Sequence, residues 1–278
     1  MAAPAAGRLT LVSGKPVMSS DVLGATTLYW SPCGDNFTEL SLSVAALAVS
    51  SLYDVFLTTD PALVLGPAWT SARATELQRV NGVLVDPLDT TRLYLGTIAL
   101  DVAGKMSAHF SYGQYRRFDV WNNYNRKRIL LKAGDNRPPG ANGFKYQPYW
   151  GPNNFGASNN DPGNSLTVLC GLAEEPVRAI YRQSFFLNET IGGAGTKYAN
   201  AVGWGIVNGP VAAPPGFYGA DNTIDVGTLA ASYAGAAEYI AAPFEGTVTV
   251  TAFECARTSG VTAYWSETNM LLTAEWWG

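Results

Sequence analysis

Short runs of β-forming residues alternate with turn-forming clusters along this chain, and that alternation limits the possible folds more than any other feature. The first series covers residues 9–110, where turn clusters such as 13–16 and 32–36 separate the runs roughly every ten to twenty residues. A second series follows residue 166. In it, residues 244–253 alternate apolar side chains with Thr, as a half-buried antiparallel strand does. The predicted strands are 9–12, 26–30, 52–58, 82–85, 92–100, 166–169, 178–187, 201–207, 246–253, 261–265 and 271–277.

The composition agrees with an all-β fold containing few and short helices. The 278 residues include 29 Gly and 16 Pro, and 12% of them are aromatic, which favours turns and strands over helices. Residues 72–79 have high helix propensity but span about two turns, so they predict only a short helix. Residues 40–50 fit a strand at first and a helix later.

Acidic and basic residues are distributed unevenly along the chain. From residue 183 to the last residue there are eight acidic and two basic side chains, which gives a net charge of −6 there and of +2 in the rest of the chain. We therefore predict two antiparallel β-sandwich or barrel domains, residues 1–110 and 166–278, the second resembling a jelly roll. Between them, residues 111–165 form a basic, aromatic stretch and then a long loop or linker rich in Gly, Pro and Asn.

The basic segment is the strongest electrostatic feature of the sequence. Seven of the 18 Lys and Arg residues lie between positions 116 and 137, interleaved with aromatic side chains. This pattern fits a phosphate-binding, base-stacking surface, or ion pairs at an interface with an acidic domain of a neighbouring subunit. We favour the interface, because a guanidinium group pairs well with carboxylates. The residues predicted there are Arg116, Arg117, Trp121, Tyr124, Arg126 and Arg128.

The chain carries no motif of an enzyme that works through a catalytic triad, a phosphate-binding loop or a zinc site. Its single histidine, His109, would have to serve every imidazole role, and we expect it to be structural or exposed. Glycoside hydrolysis needs only two carboxylates, so this activity stays possible. The sequence gives no reason, however, to place any two of the candidate carboxylates together; these are Glu174, Glu175, Asp221, Asp225 and Glu238. We predict no catalytic residue, no metal site and no cofactor.

Three further features bear on where such a protein acts and on what it can contact. Residues 1–7 have no basic start or apolar run, and no apolar stretch of membrane-spanning length follows, so we expect no secretion signal and no membrane insertion. The three cysteines are far apart, which predicts buried free thiols. The net charge of −4 gives no general attraction to nucleic acid.

Aromatic residues on Gly- and Asn-rich loops are the candidate ligand contacts. Exposed Tyr and Trp rings pack against sugar rings and supply contact area at low conformational cost. The residues predicted for this role are Tyr146, Tyr149, Trp150 and Tyr218, with Trp276 and Trp277 as further candidates.

Four stretches, in order and with similar spacing, resemble a family of tailed-bacteriophage virion proteins, the fibres and spikes of heads or tails, which also occur on gene transfer agents. They are Ala25-Thr-Thr-Leu-Tyr-Trp-Ser-Pro, Tyr53-Asp-Val-Phe-Leu, Thr91-Arg-Leu-Tyr-Leu-Gly-Thr-Ile and Trp121-Asn-Asn-Tyr-Asn-Arg. The resemblance covers about residues 9–128. The extra Lys127 and Arg128 depart from the family pattern.

The resemblance implies a non-enzymatic structural protein of the virion surface. Its amino-terminal part would attach to the particle and to other virion proteins, and its outward carboxyl-terminal part would bind a host glycan or receptor. Such proteins are commonly homotrimers, made in the host cytoplasm and released by lysis. Two alternatives remain open: a tail-spike depolymerase that cuts host polysaccharide, and a bacterial carbohydrate-binding or adhesin module.

Overall fold

The computed structural model describes residues 7–15, 18–32, 38–70, 72–111, 115–133, 151–152, 165–187, 198–205, 217–218, 231–256, 263–265 and 271–278. Within these ranges the chain forms 22 strands and no helix, which confirms the all-β prediction. The strands are β1 Gly7–Thr10, β2 Val22–Ala25, β3 Thr27–Pro32, β4 Leu40–Ser43, β5 Leu52–Leu57, β6 Leu63–Leu65, β7 Gln78–Val80, β8 Val83–Asp86, β9 Asp89–Ala99, β10 Met106–Ala108, β11 Tyr115–Phe118, β12 Val120–Asn122, β13 Arg128–Ala133, β14 Gly151–Pro152, β15 Ser165–Cys170, β16 Arg178–Leu187, β17 Tyr198–Gly205, β18 Phe217–Tyr218, β19 Ala231–Ile240, β20 Gly246–Ala256, β21 Ala263–Trp265 and β22 Leu271–Trp277.

The strands form four sheets, which we name A to D. Sheet A has the order β1-β3-β4, and sheet C has the order β6-β5-β9-β8-β7 with β12 also paired to β9. Sheet B runs β18-β17-β20-β15-β11-β10-β2 with β14 on β20, and sheet D runs β13-β22-β16-β19 with β21 on β16. Among the described strands the pairing is antiparallel except between β11 and β15.

Sheets B and D pack face to face as a β-sandwich. Strand β13 alternates exposed and buried side chains along its whole length, as the half-buried strand of a sandwich does. Its buried residues Ile129 and Leu131 share one core with Leu166 and Val168 of β15. Phe118 of β11 meets Trp276 of β22 edge to face, with 5.8 Å between ring centroids.

The strands cross the predicted domain boundaries. Sheet B contains β2 and β10 from the first predicted domain, β11 from the middle segment and β15, β17 and β20 from the second. Strand β13 of the middle segment pairs along its length with β22. The basic part of the middle segment is therefore built into the sheets, and the division into two separate domains is not confirmed.

The prediction of a short helix at residues 72–79 is wrong. In place of a helix the structure has an irregular stretch followed by strand β7, Gln78–Val80. A helix of two turns has little stability of its own, and tertiary contacts of Arg73, described below, determine the backbone here. Residues 40–50 begin as strand β4 and continue into turns, so only the first half of that ambiguous stretch is regular.

Candidate functional site

The four arginines predicted at a subunit interface all form ion pairs within the chain. Two of their acidic partners, Glu174 and Glu275, lie beyond residue 165, so the basic segment pairs with the carboxyl-terminal part of the same chain. Only Arg128 has a mostly exposed side chain. Contact of these residues with another subunit stays a prediction. The pairs are Arg116–Asp21 (3.9 Å), Arg117–Asp119 (2.7 Å), Arg126–Glu174 (2.5 Å) and Arg128–Glu275.

Trp121 and Tyr124, the aromatic residues predicted at that interface, are covered to different degrees. Trp121 is only 2% exposed, and its ring stacks on Tyr94 with 6.4 Å between centroids. The guanidinium carbon of Arg126 lies 4.6 Å from the Trp121 ring centroid, within cation–π range. Tyr124 is half-buried, and this burial raises its pKa. Trp121 thus serves the core of its own chain, whereas Tyr124 keeps part of its surface exposed.

Asn122 is a buried structural residue that the sequence did not single out. Its side-chain Oδ1 accepts from the Leu9 N–H at 2.7 Å, and its Nδ2 donates to the Leu9 carbonyl at 3.3 Å. Asn125, which has a positive φ of 53°, donates to the Gly7 carbonyl at 3.0 Å. These amides satisfy backbone groups of β1 as a neighbouring strand would, so they join sheet A to sheet C.

Arg73 is the centre of a buried polar network that sequence reasoning missed. Its side chain is 5% exposed and its Nη1 lies 2.5 Å from Asp54 Oδ2. Arg73 also donates to the Gly171 carbonyl, and its Nε lies 3.3 Å from Glu245 Oε2. A charged residue inside the apolar run 52–57 was the available signal, because a buried carboxylate requires a partner.

Aromatic and hydroxyl groups complete this network. The Arg73 guanidinium carbon lies 4.5 Å from the Trp69 ring centroid and 5.5 Å from that of Tyr94. Asp54 also accepts from Thr97 Oγ1 at 2.9 Å and from Trp69 Nε1 at 3.3 Å. Burial raises the pKa values of Asp54 and Tyr94. With its oxygens engaged and its carboxylate buried, Asp54 is suited to holding Trp69 and Arg73 against sheet C rather than to contacting a ligand.

A second buried carboxylate, Asp119, is linked to the histidine through Arg117. Asp119 accepts from the Ser107 N–H at 2.6 Å and from Arg117 Nε at 2.7 Å. Burial raises the pKa of Asp119 to about 6 despite the Arg117 charge. The Arg117 N–H donates to His109 Nδ1 at 2.9 Å, and burial lowers the pKa of His109. His109 is therefore half-buried and engaged with backbone, as a structural histidine is.

The predicted ligand-binding aromatics lie mostly outside the described residues. This holds for Tyr146, Tyr149 and Trp150, and for Tyr218 the structure describes only its place on β18. The two further candidates are separated by the alternation of β22: Trp276 is buried, whereas Trp277 is 47% exposed. Trp277 is thus the candidate ring that the described part of the structure presents to solvent.

Trp277 belongs to an exposed surface, the outer face of sheet D. We define this outer face by the side chains that alternate with the buried ones on four strands. It combines exposed apolar residues with charged ones. Its members are Arg128, Leu130 and Lys132 of β13, Leu271, Thr273, Glu275 and Trp277 of β22, Arg178, Ile180 and Arg182 of β16, and Glu238 and Ile240 of β19.

Cross-strand neighbours on the outer face are set by the register of the sheet. Arg128 lies opposite Trp277, and Leu130 lies opposite Glu275. On the other side of β22, Glu275 lies opposite Arg178, which in turn lies opposite Ile240. Side chains paired in this way are near enough to contact one another.

Several other groups capable of chemistry are ion-paired or buried. Of the carboxylates considered for hydrolysis, Glu174 and Glu238 form ion pairs with Arg126 and Arg178, and Asp221 and Asp225 lie outside the described residues. Burial raises the pKa of the Cys170 thiol to about 12, so it stays protonated near neutral pH. Among the described residues, no three His, Cys, Asp or Glu side chains cluster as metal ligands, and no helix could span a membrane.

No family model matches the chain, and no curated protein is significantly similar to it.

Proposed function

We propose that this protein is a non-enzymatic structural subunit of a virion surface, a head or tail fibre or spike of a tailed phage or of a gene transfer agent. Its amino-terminal part attaches to the particle, and other surfaces face the host and bind a glycan. It works without a cofactor, assembles with itself as a homotrimer and with other virion proteins, and is released when the host lyses.

The observation that carries the proposal is the mutual packing of the four stretches on which the resemblance rests. Strand β9, which contains the third stretch, is the hydrogen-bonded neighbour of β5, which contains the second, and of β12, which overlaps the start of the fourth. Strand β3, in the first, pairs with β1, which Asn122 of the fourth holds through its amide. The four stretches thus pack against one another in one part of the fold. Such packing supports the interpretation that they are parts of one shared fold rather than four unrelated surface motifs.

The exposed outer face of sheet D supports a function in binding. It presents a tryptophan ring, exposed apolar side chains and ion pairs on a broad sheet surface. A surface of this composition can contact the apolar faces and the hydroxyl groups of sugar rings.

Native mass spectrometry and particle co-sedimentation test the proposal together. We expect a trimer that co-sediments with particles of its own phage and releases no reducing ends from host polysaccharide. A stable monomer with no affinity for particles would contradict the proposal. Turnover that a single Asp or Glu substitution abolishes would support the depolymerase, and glycan binding without any particle association would support the bacterial adhesin.

A further inference from the structure

The outer face of sheet D carries an excess of positive charge. Its charged residues are four cations and two carboxylates, and the carboxylates are already paired, Glu275 with Arg128 and Glu238 with Arg178. Lys132 and Arg182 are exposed and form no ion pair with the residues that the structure describes. A local charge of +2 thus lies on a protein whose net charge is −4. Such a surface attracts anions even though the whole molecule does not.

The most exposed apolar side chains of this face each lie beside a charged group. Leu130, Ile240 and Trp277 are 44%, 58% and 47% exposed, and each faces a charged residue across the strand pair. Ionic groups therefore border the exposed apolar area of this face. A partner protein generally buries a continuous apolar core, whereas a sugar ring has one apolar C–H face with polar groups around its edge.

We propose that the outer face of sheet D binds an anionic polysaccharide. The Trp277 ring packs on the C–H face of one sugar, and the ammonium of Lys132 and the guanidinium of Arg182 bind carboxylate or sulfate groups further along the polymer. This inference rests on the proposed function, and it names the chemical class of the glycan.

The dimensions of the sheet require a polymer rather than a single sugar. Lys132 lies four residues along β13 from Arg128, the cross-strand neighbour of Trp277, which corresponds to about 13 Å. Lys132 and Arg182 lie on strands separated by β22, about 10 Å apart across the sheet. One ring cannot contact all three side chains, but a chain of several rings can.

Binding to immobilised polysaccharides tests the inference on the full chain. The probes are polygalacturonate, which carries carboxylates, dextran sulfate, which carries sulfates, and dextran, which is neutral. We expect binding to at least one charged polymer and none to dextran. Trp277→Ala, and separately the double variant Lys132→Gln/Arg182→Gln, should each raise the dissociation constant about tenfold.

A matched control separates this face from general charge effects. Lys105→Gln removes an exposed cation elsewhere and should leave the dissociation constant unchanged. Circular dichroism of each variant verifies the fold. The inference is overturned if neither charged polymer binds, if dextran or duplex DNA binds equally well, or if the Trp277 or double variant binds like the unchanged protein.

Particle co-sedimentation distinguishes failure of this inference from failure of the proposed function. A protein that joins particles but binds neither charged polymer overturns the inference alone. A protein that binds the charged polymers through this face but joins no particle overturns the virion assignment.

Discussion

At the scale of single residues, Asp119 should contribute to the dependence of stability on pH. Burial raises its pKa to about 6, whereas its ordinary value is 3.8. Between these two values the folded protein binds more protons than the unfolded chain does. The free energy of unfolding contributed by Asp119 therefore increases as the pH falls from about 6 towards 4, and it is lost as the pH rises through 6.

Asp119→Asn removes this titration while keeping the shape of the side chain. We expect the unchanged protein to gain about 1 to 2 kcal/mol relative to the variant when the pH falls from 7 to 5, because one pKa unit corresponds to about 1.4 kcal/mol. Urea unfolding of both proteins at the two pH values measures the difference. Asp60→Asn, at an exposed position, is the control. Parallel pH profiles for the unchanged protein and Asp119→Asn would contradict the prediction.

Asn122 gives a second prediction at this scale, since it satisfies two backbone groups of Leu9. Asn122→Leu keeps the branched shape of the side chain, with a larger volume, but leaves a buried N–H and a buried carbonyl without these partners. We expect a loss of about 2 to 4 kcal/mol in the free energy of unfolding. Denaturant titration measures it, and Asn123→Ala, at a half-buried neighbouring position, should cost much less. If both variants lost the same free energy of unfolding, the hydrogen bonds from Asn122 to β1 would contribute no more to stability than the Asn123 side chain does.

At the scale of elements, strand β12 can pair with β9 only because position 96 has no side chain. A Cβ on Gly96 would lie 2.1 Å from the Trp121 carbonyl oxygen, a backbone atom that cannot move away without separating the strands. We expect Gly96→Ala to cost about 3 kcal/mol, at the upper end of overpacking effects. In Gly82→Ala the added Cβ meets nothing within 4 Å, and only the φ of +85° opposes it. Thermal unfolding should show the larger loss for Gly96→Ala; the reverse order would contradict this packing.

The elements that the sequence predicted best are those whose strand signal is local. The bounds predicted for β16 and β22 agree with the structure, because β-formers fill both runs. Strand β19 was missed, since its Ala- and Gly-rich sequence has low β-propensity and the strand depends on pairing with β16. Strand β13 was missed because its charged residues lie on an exposed face and interrupt the apolar run.

The residues of the candidate site also differ in how far the sequence could predict them. Trp277 could be named from sequence as an aromatic residue, but its exposure followed only from the register of β22. The Arg73 network could not be predicted, because it joins Asp54, Gly171 and Glu245 from distant parts of the chain. Contacts between residues so far apart leave no periodic pattern in the sequence.

At the scale of the whole molecule, the arrangement of sheet B argues for one cooperative unit. Strands from both predicted domains and from the segment between them hydrogen-bond in this sheet, and one core includes residues from all three. Arg73, from the first predicted domain, also contacts Gly171 and Glu245 of the second. Two domains that shared a sheet and a core in this way would be unable to unfold independently.

We therefore expect a single calorimetric transition whose measured enthalpy equals the van't Hoff enthalpy. Arg73→Met should shift this one transition to lower temperature, because it leaves the buried Asp54 carboxylate without its counter-charge, at a cost of about 3 to 5 kcal/mol. The double variant Arg73→Met/Asp54→Asn removes both charges and should recover part of that loss. Two resolved transitions, with only one of them moved by Arg73→Met, would instead support two independent domains and would limit the buried network to a local role.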